Sequence, residues 1–208
     1  MGYTRDLIVA RSERPLLDTP LFDAVRDDRD SAVALRPRPG GWQTAEFHAE
    51  VLDDPDEVLR EVVHWTGAPA CVASVSDSDV AWVIGLAPGA ERWEVWLNLK
   101  TAAALLTHVP DDVDDTSEYC VTAEFEAAVA LTRAELEADV PDAARAVLAW
   151  ARSAGFGEGV TAEAVEEVLR SKETFAEELF AVLLDRLGFP APVDPERSGR
   201  DALPMAGR

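Results

Sequence analysis

The chain has 208 residues, 48% of them hydrophobic and 7% aromatic, which is enough apolar material for an ordinary core and excludes bulk disorder. Its 40 acidic and 19 basic side chains give a formal net charge of -21, and it has no basic stripe. A surface of this sign repels nucleic acid and anionic membranes, so we expect it to bind neither.

Three features of the sequence predict the location of the protein. The sequence contains no run of 18 apolar residues, so no membrane-spanning helix is expected. The apolar run at 7–10 is too short for a signal peptide. Cys71 and Cys120 lie far apart in the sequence, which is more typical of reduced thiols than of a disulfide. We therefore expect a cytoplasmic protein.

The first half of the chain predicts strands and one helix. Short apolar runs at 7–10 and 31–35 are candidate strands, and residues 42–52 alternate between apolar and polar side chains. A helix is predicted over 55–66, with Asp54 as N-cap and Gly67 after its end.

A three-stranded meander is predicted over 70–99. Two-residue turns at 77–78 and 88–89 would place Trp82 opposite Ala73 on one side and opposite Val95 on the other. Both pairings put bulky apolar side chains on a single face, which would pack under helices. Trp96 would then lie on the opposite, polar face, either covered by another part of the chain or available to a partner.

The second half predicts helices. A short helix is expected at 101–107, and 118–131 fits both strand alternation and helical spacing, of which we favour the helix. A capping box of Thr132 and Glu135 predicts a break, and Pro141 is expected to open the next helix. Further helices are predicted after the cap residue Thr161 and over 174–187.

These elements predict an α+β fold, with a mainly antiparallel sheet packed against a helical half. The β-rich half is expected over 1–108 and the helical half over 109–188. The two are expected to form a single domain, followed by an irregular tail over 189–208. No internal repeat is present.

The strongest feature of the sequence is its acidic segment. Residues 111–142 contain eleven acidic side chains and one basic side chain, Arg133. Such a segment attracts cations or a basic partner, although a solvated loop and codon or salt bias are the plainer explanations. The predicted partner-binding residues are Trp96, Asp111, Asp112, Asp114, Asp115, Glu124 and Glu126.

A second candidate site lies on the strand predicted over 42–52. Glu46, His48 and Glu50 alternate with apolar residues and would project from one face. A histidine between two carboxylates suits a general base or part of a metal site, and Asp111 to Asp115 could add cation ligands. The plainer interpretation is the solvent-facing side of an antiparallel sheet.

No set of residues has the spacing of a known active site, and no pattern predicts a cofactor or a complete metal site. We therefore expect a non-enzymatic binding protein of the inhibitor or immunity type that recognises a basic protein surface. A metal-assisted hydrolase using Glu46, His48 and Glu50 is the alternative, and nucleic-acid mimicry ranks below the binding protein. The chain is expected to be a monomer or a homodimer.

Overall fold

The computed structural model describes residues 3–23, 32–48, 54–110, 113 and 115–193. At its centre lies a six-stranded sheet in the order β2-β3-β1-β4-β5-β6, in which all neighbours are antiparallel. The strands are β1 (Arg5–Arg11), β2 (Ala32–Pro37), β3 (Trp42–His48), β4 (Ala70–Ser76), β5 (Val80–Leu86) and β6 (Trp93–Leu97).

Helices cover both faces of this sheet. The helices are α1 (Pro55–Thr66), α2 (Leu99–Leu106), α3 (Thr116–Tyr119), α4 (Ala123–Ser153), α5 (Ala162–Arg170) and α6 (Ala176–Arg186). The core on one face is built with α4, α5 and α6, and the core on the other with α1 and the 3-10 turns Leu16–Asp18 and Pro20–Phe22. The α+β prediction is confirmed.

Helix α1 follows the sequence closely. The Asp54 carboxylate accepts the backbone N–H groups of Asp56 and Glu57 at 2.9 and 3.2 Å, and Pro55 occupies the first turn, where no N–H is needed. The helix ends at Gly67, whose φ of 64° is the left-handed conformation that glycine adopts without strain.

The predicted register of the meander is wrong by one residue in each turn. Trp82 pairs with Ser74 and with Trp96, not with Ala73 and Val95. Three residues, not two, connect β4 to β5, and Asp77 and Ser78 both have positive φ. Because side chains alternate along a strand, this difference of one residue places Trp82 on the other face from the one predicted, away from the helical half.

Helix α4 is continuous over 31 residues, so the predicted break at Thr132 and the separate helix from Pro141 are wrong. Thr132 does not cap a helix, because its hydroxyl donates within α4 to the Ala128 carbonyl at 3.2 Å. Pro141 has no N–H for the carbonyl four residues earlier, that of Glu137. Arg170 of α5 supplies the missing donor, since its Nη1 donates to this carbonyl at 3.1 Å.

Other boundaries differ by a few residues. Helix α2 begins at Leu99 after Asn98, whose φ is 59°, and α6 begins at Ala176. The predicted strand 42–52 is observed as far as His48, and its last residues lie outside the described ranges. None of the helices in the described ranges is long and apolar enough to cross a membrane.

The residues after α6 belong partly to the core. Phe189 is 3% exposed and stacks on Trp150 with ring centroids 5.2 Å apart. It also meets Trp42 of β3 edge-on at 4.9 Å. Further along, the backbone N–H of Val193 donates to the Pro37 carbonyl of β2 at 2.8 Å. The chain therefore returns from the helical layer to the sheet before 194.

Candidate functional site

The first half of α4 has little contact with the sheet. Phe125 is buried, but none of residues 126–139 is, and the buried stripe resumes at Val140. At 1.5 Å per residue α4 is about 46 Å long, roughly twice the length of the seven-residue strands. Its first half packs beside α2, where the hydroxyls of Thr107 and Thr132 lie 3.1 Å apart. We call α2 together with residues 115–139 the acidic arm.

The acidic arm exposes large apolar side chains. Val121 is 81% exposed, Leu131 69% and Leu105 60%, which are the highest values among the large hydrophobic residues of the described ranges. A shallow groove of about 370 Å³ lies between α2 and α4, with Ala104, Phe125 and Val129 among its lining residues.

The charge of the arm is acidic and largely unpaired. Residues 115–139 carry seven acidic side chains and one basic side chain, Arg133, and α2 adds the basic Lys100. Arg133 Nε pairs with Glu137 Oε1 at 2.7 Å. Within the described ranges the exposed Glu126, Glu135 and Asp139 form no ion pair.

Part of the predicted acidic set has a structural role. The Asp115 carboxylate caps α3 by accepting the N–H groups of Ser117 and Glu118 at 2.9 and 3.1 Å. Glu124 and Glu126 lie in the first turn of α4, where negative charge stabilises the helix dipole. Asp111, Asp112 and Asp114 lie outside the described residues. The structure therefore brings Asp115, Glu124 and Glu126 to one end of the arm.

Trp96 is half-buried and has intramolecular contacts on two sides. Its ring stacks on that of Trp82, with centroids 6.2 Å apart. It also borders a cavity of about 130 Å³ beside Leu136 of α4. Arg92 lies 5.4 Å from the centre of the Trp82 ring and pairs with Glu94 at 2.8 Å. Trp96 is thus partly covered by side chains of the protein itself.

The Glu46 and His48 face is occupied by arginines. Glu46 accepts a hydrogen bond from the Tyr3 hydroxyl at 2.7 Å, and it lies 3.7 Å from Arg5 and 3.5 Å from Arg36. Arg5 also contacts the exposed His48 through Nη1 and Nδ1. Two guanidinium groups supply the positive charge that a metal ion would bring to Glu46.

Glu50, the third member of that predicted set, lies outside the described residues. In the part of the chain that is described, no three His, Cys, Asp or Glu side chains are grouped so that they could hold a metal ion. The metal-assisted alternative therefore gains no support from the geometry.

Sequence reasoning missed a cleft at the end of the sheet where β1 stops. It has a volume of about 630 Å³ and is lined by residues from the end of β1, the Gly40–Gly41 turn and the end of α1: Arg11, Ser12, Glu13, Arg14, Gly40, Gly41, Trp65, Thr66 and Ala68. The only sequence signal for this cleft was a pair of arginines three residues apart, Arg11 at the end of β1 and Arg14 after it. This pair matches no known motif. The cleft lies at the opposite end of the sheet from Leu97, after which α2 begins.

No family model matches the sequence, and comparison with curated proteins and with solved structures found no similar chain.

Proposed function

We propose that this protein is a non-enzymatic binding protein that takes up a basic protein partner on its acidic arm. The observation that carries the proposal is the run of 14 unburied residues, 126–139, on a helix whose second half, from Val140 onward, is packed in the core. The exposed side of this segment, which packs beside α2, provides a surface that a second protein can contact.

The exposed apolar side chains support a contact surface rather than a solvated helix. Leu105, Val121 and Leu131 are exposed although large apolar residues are costly to leave in water. Exposed apolar groups rimmed by charge are typical of protein–protein interaction sites. Burying them on association would supply affinity, and the surrounding carboxylates would select the partner.

The pattern of charges supports a basic partner. Glu124, Glu126, Glu135 and Asp139 are all exposed, and a partner with Lys and Arg side chains around an apolar centre would complement them. The helix dipole accounts for Glu124 and Glu126, because both lie in the first turn of α4. Glu135 and Asp139 lie three turns further along, beyond the reach of the dipole. Their position is the stronger support for recognition.

The test begins with affinity capture from the native lysate at low salt, followed by measurement of the dissociation constant of the captured basic protein. A triple variant of the arm, Glu126→Gln with Glu135→Gln and Asp139→Asn, should weaken binding by roughly tenfold or more, because each lost charge removes attraction to the partner. Affinity should also fall with added salt, since exposed charges are screened beyond roughly 8 Å at physiological ionic strength.

The matched control is a triple variant of exposed acids outside the arm, Glu158→Gln with Glu167→Gln and Glu178→Gln. It changes the net charge by the same amount and should leave the affinity almost unchanged. Equal weakening by both variants would show that the net charge, and not the arm, attracts the partner. Failure to retain any basic protein at low salt would also contradict the proposal.

A further inference from the structure

The cleft lined by Arg11, Arg14 and Trp65 has no part in the proposed function. We propose that it binds a phosphate-bearing small molecule, whose phosphate oxygens accept hydrogen bonds from the two guanidinium groups. Its volume of about 630 Å³ falls within the range of roughly 300–1,000 Å³ that small-molecule sites occupy.

Arg14 is held in place from two directions. Its guanidinium carbon lies 4.5 Å from the centre of the Trp65 ring, a cation–π contact that fixes the plane of the guanidinium group. Its backbone is also fixed, because the Arg14 carbonyl accepts from Gln43 Nε2 at 2.8 Å and the N–H donates to Ser12 Oγ at 3.1 Å. An arginine restrained in this way loses little entropy when it binds an anion.

The two guanidinium groups are not neutralised by the chain itself. Across the described ranges neither Arg11 nor Arg14 forms an ion pair with a carboxylate. Glu13 is the single acidic residue among the lining residues, so the cleft retains one net positive charge. Guanidinium groups present parallel N–H donors that match the oxygens of phosphate, and two of them suit a dianion better than a single carboxylate.

The rim of the cleft beside Arg11 lacks side chains. Gly40 and Gly41 have φ of 76° and 79°, a conformation that other residues adopt only with strain. The turn therefore keeps this side of the cleft open for the rest of the ligand, and Trp65 and Thr66 of α1 also line the cleft. The elements that build the cleft are separate in sequence, which explains why no motif predicted it.

The charge of the whole molecule makes the inference sharply testable. With a formal charge of -21 the surface at large repels small anions, so saturable anion binding would report a local site. The probes are pyrophosphate and AMP, with citrate as the carboxylate comparison, titrated into the full chain by calorimetry and by tryptophan fluorescence. We expect saturable binding of both phosphate probes, a higher midpoint of thermal unfolding in their presence, and weaker binding of citrate.

The variants are Arg11→Gln and Arg14→Gln, with Arg145→Gln as a control of equal charge change on an exposed helix position outside the cleft. Each cleft variant should weaken pyrophosphate binding by roughly tenfold, the expected loss for a charge-assisted hydrogen bond, while the control binds as the parent does. Circular dichroism would verify that all three fold.

Three results would overturn the inference. One is the absence of saturable phosphate binding by the parent protein. A second is binding that survives both cleft substitutions or is lost equally in the control. The third is equal affinity for citrate, which would show that the cleft selects negative charge and not phosphate.

Discussion

The indole ring of Trp93 lies directly against the backbone of Gly85, the residue with which it pairs across β5 and β6. A Cβ atom at position 85 would lie 2.3–2.4 Å from three atoms of the ring. On its other side the Trp93 ring meets Trp150 of α4 edge-on at 5.3 Å, and Trp150 Nε1 donates to the Leu86 carbonyl at 3.1 Å. The missing side chain at 85 therefore lets two tryptophans join the sheet to the helical layer.

Substitution of Gly85 by Ala should destabilise the fold. A methyl group cannot share the space with the Trp93 ring, so either the ring or the strand must shift, at a cost of about 1–3 kcal/mol. Urea unfolding followed by circular dichroism would give the change in the free energy of unfolding. The second substitution Trp93→Leu in the same chain should recover part of the loss, because it removes the clashing ring. An unchanged unfolding midpoint in Gly85→Ala would contradict this account of the contact.

The meander that contains Gly85 and Trp93 shows which features could be predicted from the sequence and which could not. The order of strands in the meander and the α+β class followed from alternation and turn residues, and both are observed. The register was wrong because turn length decides it, and Asp77 and Ser78 give no simple sign that a three-residue turn with positive φ will form. The pairing of Trp93 with Gly85 is favoured because the large ring fills the space left by the missing side chain at 85. This fit depends on the packed structure and not on the local sequence.

Helix α4 depends on a contact that no local pattern could predict. Arg170 should stabilise the helix by donating to the Glu137 carbonyl that Pro141 leaves without a partner. We expect Arg170→Ala to lower the free energy of unfolding by about 1 kcal/mol, a typical value for one hydrogen bond. Thermal or urea unfolding would measure it.

A double-mutant cycle with Pro141→Ala separates this role from the ion pair of Arg170 with Glu166, which lie 3.4 Å apart. With alanine at 141 the backbone N–H can reach the Glu137 carbonyl, so the substitution of Arg170 should cost less in that background. Equal costs in both backgrounds would show that Arg170 acts through Glu166 instead.

The candidate sites were harder to predict than the fold. The acidic segment was evident from composition, but its exposure results from the continuity of α4 through Pro141, because the packed second half of the helix holds the acidic first half beyond the core. Glu46 and His48 were correctly placed on one strand, yet the arginines that surround Glu46 come from β1 and β2, which the sequence cannot align with β3. The arginine cleft depends on three separate segments and was missed for the same reason.

Asp6 is expected to make stability depend on pH. It is 5% exposed, and its Oδ1 accepts from the Ser74 hydroxyl at 2.6 Å. Desolvation raises its pKa above the ordinary value of 3.8, against a smaller lowering by Ser74. The folded protein therefore holds this proton more tightly than the unfolded chain does. The contribution favours folding below about pH 3.8 and is lost as the pH rises through the folded pKa.

Asp6→Asn removes the charge and keeps an oxygen for Ser74. The variant should gain stability relative to the parent between acidic and neutral pH, and the gain should reach a plateau once Asp6 of the parent is ionised. Free energies of unfolding of both proteins at pH 4 and at pH 7 would measure the difference. A difference independent of pH would show that the carboxyl group does not titrate as its burial requires.

The two cysteines should differ in reactivity. Cys71 is buried, and burial raises the pKa of its thiol to about 12, whereas Cys120 is exposed in the acidic arm. A thiol reagent at pH 8 should therefore modify one cysteine rapidly, and the second only after unfolding. Cys120→Ser should abolish the fast phase, while fast labelling of Cys71 in that variant would indicate that the sheet opens.

Leu131 offers a test of the acidic arm that does not alter its charge. It is 69% exposed, and glutamine has a helix propensity close to that of leucine. We expect Leu131→Gln to change the free energy of unfolding by no more than about 0.5 kcal/mol, as for most surface positions. The same substitution should weaken binding of the basic partner by roughly fivefold or more, because it removes a large apolar group from the contact. Val182 of α6, which is 41% exposed outside the arm, provides the control substitution Val182→Gln. Loss of binding in both variants, or in neither, would mean that the arm is not the surface on which the partner docks.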